Sequence, residues 1–393
     1  MLDLCDQIFV LLKHWMLGWP IWPESVKPLV SILLSIVPIM LVFAGLFAIM
    51  TVLERKGLGR IQNRYGPNRV GPYGFLQFAA DGIKALTKED VVPRAADKVI
   101  HFLAPLVLIV PVFLAYSVLP FGRNMVPMDI DAGVLFFFAV GAATELAVFM
   151  AGWSSRNKYS LLGAMRAIAQ MVSYEVPLIV STITVVMMVG SLSTVKIVEA
   201  QADYSGQWPQ WHLFTPWGFV GFVLFLIAAM AESNRSPFDL PEGESEIVAG
   251  YFLEYSGFKF ALFFLAEYLG MFAVSGMAVT LFLGGWTAPL AFLSWLPSWL
   301  WFFAKLMALI FLFIWARGTV PRMRMDQLMN FAWKFMLPMA LINILAAGLW
   351  HFLPAGMGRW MACSAVIGIP YILLGRGLVG GKQFAKRTYR FAE

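Results

Sequence analysis

Residues 28–53 read PLVSILLSIVPIMLVFAGLFAIMTVL, an apolar run without one charged side chain, and the next seven are Glu54-Arg55-Lys56-Gly57-Leu58-Gly59-Arg60. A helix needs about 20 such residues to cross the hydrocarbon of a bilayer. Lipid offers the backbone no hydrogen bonds, so a spanning segment must satisfy its own amides, as a helix does. The abrupt passage from apolar run to charge cluster therefore reads as a membrane edge. Eight further runs follow, at about 99–119, 132–152, 166–190, 216–232, 258–283, 298–316, 333–352 and 360–375. The fifth of the nine is short, and the last contains Pro370.

Composition supports the same reading: 60% of the 393 residues are hydrophobic and only 13% charged, and the mean hydropathy is +0.74. Soluble domains carry about twice that share of charge. The 15 Trp and 11 Tyr suit interfacial belts, although core packing is an equally ordinary use. The expected fold class is an all-α polytopic integral membrane protein with about nine transmembrane helices. Residues 1–27 are expected to form an amphipathic or re-entrant segment, since Met1 to Pro20 lack the basic start and cleavage site of a secretory signal.

Basic residues set the orientation. The segment 54–98 holds Arg55, Lys56, Arg60, Arg64, Arg69, Lys84, Lys88, Arg94 and Lys98; Arg156, Lys158 and Arg166 follow, then Arg235 and Lys259. Arg317, Arg322, Arg324 and Lys334 come next, and the tail ends with Arg376, Lys382, Lys386, Arg387 and Arg390. These are alternate connections and hold 23 of the 29 Lys and Arg; the other side keeps Lys13, Lys27, Arg123, Lys196 and Arg359, with Lys305 inside a span. By the positive-inside rule the N-terminus is outside and the C-terminus cytoplasmic. The net charge of +6 thus belongs to membrane topology, with no folded reader for nucleic acid around it.

Other chemistries have no residues to carry them. Cys5 and Cys363 stand alone, and His14, His101, His212 and His351 are scattered. No metal or iron–sulfur site follows from such spacing, nor is there a Walker loop or a GxGxxG turn. Any redox cofactors are expected on other subunits.

Three features do carry chemistry. The segment 54–72, with its run Arg64-Tyr65-Gly66-Pro67-Asn68-Arg69-Val70-Gly71-Pro72, is rich enough in Gly and Pro to specify turns rather than a regular helix. Behind it, Gly74 to Leu86 place Phe75, Phe78, Ala79, Gly82 and Ile83 on one helical face, with Asp81, Lys84 and Lys88 on or beside the other. That pattern makes an interfacial helix, serving either to fix the loop or to form a mouth for an amphipathic molecule. Second, Glu145, Glu175 and Glu267 lie inside spans and Glu232 closes the fifth. A charge at mid-membrane costs ~2.5–3.5 kcal/mol on insertion scales, so these acids are either hydrogen-bonded within the bundle or form a proton relay. Third, the loop 232–246 carries Glu232, Asp239, Glu242, Glu244 and Glu246 around the single Arg235 on the otherwise positive side. Taken alone it is a solvated acidic loop; it also makes a local negative field.

ERKGLGRIQNRYGPNRVGPYG, ADGIKALTKED, WSSRNKYSLLGAMRAIAQMVSYEVP and AESNRSPFDLPEGESEIVAGYFLEYSG together resemble one family, the H subunits of bacterial NADH–quinone oxidoreductases, whose mitochondrial counterpart is subunit 1 of complex I. The resemblance runs from about residue 30 to residue 352. It implies a family membrane core at 28–352, with quinone-side cytoplasmic loops 54–98 and 232–257. Residues 353–393 then add a further helix and a basic tail to the family's eight-helix core, as in some relatives. It implies quinone as substrate, a bacterial inner membrane location, and flavin and iron–sulfur clusters held by partner subunits of the complex. Glu54, Arg55, Arg60, Asp81, Lys84, Arg235 and Asp239 would shape the quinone entrance and chamber. Glu145, Glu175, Glu232, Glu242, Glu244, Glu246, Glu267 and Tyr268 would form the coupling and proton path. No catalytic nucleophile or metal ligand is assigned.

Rival readings are the homologous subunit of a membrane-bound hydrogenase or another donor-linked quinone reductase, a secondary transporter, and a structural anchor. The complete loop 54–72 favours the NADH–quinone branch. The spans show no pair of matching halves, against a transporter, and an anchor leaves the intramembrane glutamates unexplained.

Overall fold

A computed structural model describes residues 6–19, 23, 25–240 and 248–379. Among them the protein is an all-α polytopic membrane protein, with one two-residue hairpin between Tyr204–Ser205 and Trp208–Pro209. Eight helices are long and apolar enough to cross a membrane, and Pro216–Glu232, with 17 residues, is a shorter apolar helix at the expected fifth span. The helices are α1 (Ile8–Leu17), α2 (Lys27–Ile61), α3 (Gln77–Thr87), α4 (Lys98–Ala115), α5 (Gly133–Gly141), α6 (Ala143–Ser154) and α7 (Lys158–Val189). They continue as α8 (Thr194–Glu199), α9 (Pro216–Glu232), α10 (Gly257–Phe282), α11 (Ser298–Thr319), α12 (Met325–Phe331), α13 (Leu337–Phe352) and α14 (Met357–Val379). A π-helical turn, Ala332–Met336, joins α12 to α13.

Consecutive connections meet at opposite ends of the bundle. At one end Asp97 N bonds Ser154 O at 3.0 Å, Asn157 reaches Glu254 at 2.6 Å, Lys259 pairs with Asp90 at 2.6 Å, and Met323 N donates to Pro237 O at 3.2 Å. This is the basic face. At the opposite face Thr194 bonds Val118 O at 2.8 Å, Val134 N bonds Leu192 O at 3.0 Å, and Ser298 binds Asp6. The most central helix is α10, whose most apolar window is 72% buried, against 6% for α2 at the rim. Between the two faces lies an aromatic layer: Phe43 stacks on Tyr116 at 4.1 Å and leans on Phe272 and Phe303, while Phe121 meets Phe302 edge-on at 5.5 Å.

Two elements depart from the sequence reading. The Gly-rich start of segment 54–72 is helical: α2 runs on to Ile61 before the turns begin. Gly57 and Gly59 are there for close approach. A Cβ on Gly57 would press Ile314 at 3.3 Å, and one on Gly59 would meet Arg64 O and Gly66 N at 3.0 Å. The loss of helix propensity at these glycines is overridden by packing. The third span is two helices, α5 and α6, interrupted at Ala142, so Glu145 sits in the first turn of α6. The interfacial helix of the first loop is present as α3, with Ile83 and Leu86 exposed.

Candidate functional site

Four distant pieces of chain meet where α2 leaves the bundle at the basic face. Glu54 is 4% exposed and is surrounded by donors. Arg235 reaches both its oxygens, at 3.2 and 3.4 Å; Tyr268 Oη donates to Oε2 at 2.5 Å; and Arg317 Nη1 donates to Oε1. The Arg235 guanidinium lies 3.9 Å from the Tyr268 ring centroid, and its Nε is 3.9 Å from Glu267 Oε1. Burial works against the Arg235 charge, but Glu54, Tyr268 and Glu267 outweigh it and hold its pKa above the usual guanidinium value. Two guanidinium groups and two carboxyls thus share one site of low dielectric. Such an arrangement survives only while every member is paired.

Local backbone places these groups. Asn234, in the left-handed region at φ 49°, ends α9, and the turn closes with Phe238 N on Arg235 O at 2.8 Å. That turn points Arg235 back into the bundle. Gln170 of α7 clamps it from behind, donating to Ala231 O at 2.7 Å and to Asn234 Oδ1 at 3.2 Å. Glu267 and Tyr268 are successive residues of α10, and both reach Arg235; Tyr268 also binds Glu54, while Glu267 also borders a cavity.

That cavity, of about 90 Å³, lies among α4, α5, α6, α7, α9 and α10 and is lined by Glu232, Glu267, Asn234, Thr144, Met171 and Tyr251, among mostly apolar neighbours. A buried site needs only ~10–15 Å³ of this kind of volume to hold one water molecule, so several fit. Glu232 is close enough to Glu175 and Glu145 to feel their charge, and Glu145 to feel that of Glu175. The ion cluster and Glu232 therefore adjoin through Glu267 and the cavity that both acids line.

A second, more exposed group lies on the surface. Arg55 binds Asp81 of α3 at 2.5 Å, with side chains 50% and 33% exposed, and Gln77 donates to Asp81 at 3.0 Å. Arg60 and Lys84 are exposed. Asp239, half-buried, lies on the loop beyond Arg235, whose Leu240 O accepts from Arg322 at 3.4 Å. Glu242, Glu244 and Glu246 fall outside the described residues.

Sequence reasoning thus named four of the five members of the buried cluster and missed Arg317, which it counted among topology charges. Lys305, which the sequence places inside a span, pairs with none of these acids among the described residues: its ammonium binds main-chain carbonyls at the opposite face. Among the described residues no group of three or more His, Cys, Asp or Glu could hold a metal ion.

The polytopic fold, with eight helices long and apolar enough to cross a membrane among the described residues and a buried ion cluster at one end of the bundle, defines a multi-pass membrane protein. The family model described as NADH dehydrogenase matches residues 34–348, so the chain belongs to that family. It is 52% identical over 292 residues to the NADH-quinone oxidoreductase H subunit of Dehalococcoides mccartyi (strain CBDB1), covering 74% of this chain and 79% of that protein. It is 46% identical over 348 residues to the corresponding H subunit of Geobacillus kaustophilus, covering 87% and 100%. To that of Polaromonas naphthalenivorans it is 44% identical over 341 residues, covering 85% and 94%.

Proposed function

We propose that this chain is the membrane subunit of an NADH–quinone oxidoreductase that admits quinone from the lipid and couples its reduction to proton translocation. The observation that carries the reading is the buried set Glu54, Arg235, Arg317, Tyr268 and Glu267, joined through Glu267 to a cavity ending at Glu232. In this reading the basic face is cytoplasmic, the N-terminus outside, and loops 54–98 and 232–257 lie beneath a soluble arm. That arm holds the flavin and iron–sulfur clusters, and this chain holds none. Residues 28–352 form the membrane core, and residues 353–393 add one helix and a basic tail.

Arg55, Asp81, Arg60 and Lys84, where α3 lies at the membrane surface, guide the polar head of an amphipathic quinone. Glu54, Arg235 and Asp239 shape the chamber behind them. Reduction of a quinone to a neutral quinol takes two electrons from the soluble arm and two protons, and protons drawn from groups that line the chamber leave those groups more negative beside Arg235. That guanidinium is shared between Glu54 and Glu267, so a change on one side alters its hold on the other. Glu267 then gains or loses a proton through the cavity, and Glu232, Glu175 and Glu145 carry charge onward toward neighbouring membrane subunits. Glu242, Glu244 and Glu246 add negative charge at the chamber side.

The test is to tag this chain, purify it from its native membrane in mild detergent, and assay inhibitor-sensitive, NADH-driven quinone reduction. Activity with co-purifying flavin and iron–sulfur subunits is the expected result. A stable complex that evolves hydrogen or uses another donor would contradict it, as would a solitary chain.

A further inference from the structure

Lys305 lies in the second turn of α11, at the face opposite the Glu54 cluster. Its Nζ donates to three main-chain carbonyls, of Leu283 at 2.6 Å, Gly285 at 2.9 Å and Thr287 at 2.7 Å, and sits 4.1 Å from the centroid of the Trp211 ring. The cage is built for it. Gly284 and Gly285 adopt φ +67° and +51°, and a Cβ on Gly284 would run into Trp211 and Thr287. Trp211 is itself fixed by its Nε1 bond to Thr287 Oγ1 at 2.9 Å.

Two carbonyls can be satisfied without a charge. Just below, the neutral amide of Gln201 satisfies Thr280 O at 3.1 Å and Leu281 O at 3.2 Å, and its Oε1 accepts from Gly284 N at 3.2 Å. No carboxylate pairs with Lys305 among the described residues; three carbonyls each take one N–H, and only the protonated amine has three to give. A charge within a span is expensive, and what distinguishes Lys305 from a second glutamine is the third N–H and the charge that comes with it.

Its surroundings suggest a use. A pocket of about 800 Å³ opens at this face, lined by Asp6, Asp129, Glu199, Arg123, Tyr204 and Trp301, and it shares Thr287 with the cage. Three carboxylates draw cations into that pocket, and the ammonium stands directly behind its wall. Phe302 and Phe303 of the same helix pack with Phe121 beside it, and the acid-lined cavity is a separate space that Lys305 does not border. A fixed positive charge is one of the ways pores exclude protons and other cations.

We infer that Lys305 is an electrostatic barrier that stops protons of the outer aqueous phase from leaking back through the bundle to the acid cavity. The inference rests on the proposed orientation and proton-pumping role. The test uses the whole complex in phospholipid vesicles with an entrapped pH dye, a pH step and no NADH, so passive conductance is read apart from turnover. Lys305→Gln, which keeps two N–H donors without charge, and Lys305→Met should raise proton conductance about tenfold, equivalent to ~1.4 kcal/mol of barrier. Lys305→Arg should stay as tight as the unsubstituted complex. Neutral variants as tight as the unsubstituted complex would overturn the barrier, as would an arginine variant that leaks as much as they do. Assembly of the arginine variant alone would make the charge a folding requirement and equally overturn it. If the unsubstituted vesicles reduce quinone without pumping, the proposed function fails instead, and the conductance comparison still decides the role of Lys305.

Discussion

Glu54 and Lys305 are both charged groups enclosed in the same bundle, at opposite faces, and both are fully supplied with partners. Their partners differ in kind. Glu54 is held by two arginines and a tyrosine, one arginine being shared with Glu267 and standing on the turn that ends α9. Lys305 is held by three carbonyls of one short segment just after α10. Carbonyl dipoles neither titrate nor leave. Shared side chains on separate elements can be redistributed when one charge changes. The first arrangement suits a site that responds, and the second a site that stays fixed.

The largest effect should come from removing the shared cation. Breaking a buried pair from one side costs about 3–5 kcal/mol, so Arg235→Ala should abolish NADH-driven quinone reduction or assembly, measured as activity per unit of complex on native gels. Near-normal turnover would show that Glu54 does not depend on Arg235. Next, Glu232→Gln should leave assembly intact and lower coupled turnover on the order of tenfold, or ~1.4 kcal/mol, measured in vesicles by dye quenching alongside NADH oxidation. Equal loss of reduction and pumping at lowered complex content would indicate a structural role only.

At the opposite face the account predicts an acid sensitivity. Burial pushes His212 down from 6.5 to about 4. The unfolded chain therefore binds a proton over that interval while the folded one does not. The stability His212 contributes is complete above pH 6.5 and is lost as pH falls toward 4. His212→Gln should flatten the decline in thermal stability across that window; an unchanged pH profile would remove His212 as its cause. The smallest effect is expected at the surface pair. With Arg55 half exposed, its bond to Asp81 falls among exposed pairs worth ~0–1 kcal/mol, so Arg55→Ala should change the quinone KM by less than about fivefold. A larger rise with unchanged kcat would sharpen its assignment to quinone entry.

The spans, the alternation of their connections and the intramembrane acids were all legible in sequence, because apolar run length and charge placement are what the bilayer selects on. Glu145, Glu175, Glu232 and Glu267 stand out for the same reason: ionisable residues in apolar runs need a cause. Arg317 was not legible, since a basic residue at the end of a span is what topology alone would place there. The Lys305 cage was invisible because main-chain carbonyls carry no letter of their own. The helical course of α2 through Gly57 and Gly59 was missed because the reason for those glycines lies on α11 and in the loop at 64–66, distant in the chain or folded back upon it.

The central claim is that the Glu54 cluster and the acid cavity act as one unit through Glu267. The most direct test is Glu267→Gln in the reconstituted complex, with protons translocated per NADH oxidised measured beside the rate of quinone reduction. The account predicts a fall in the proton-to-NADH ratio, with quinone reduction retained at a lower rate. An unchanged ratio at normal turnover would contradict it.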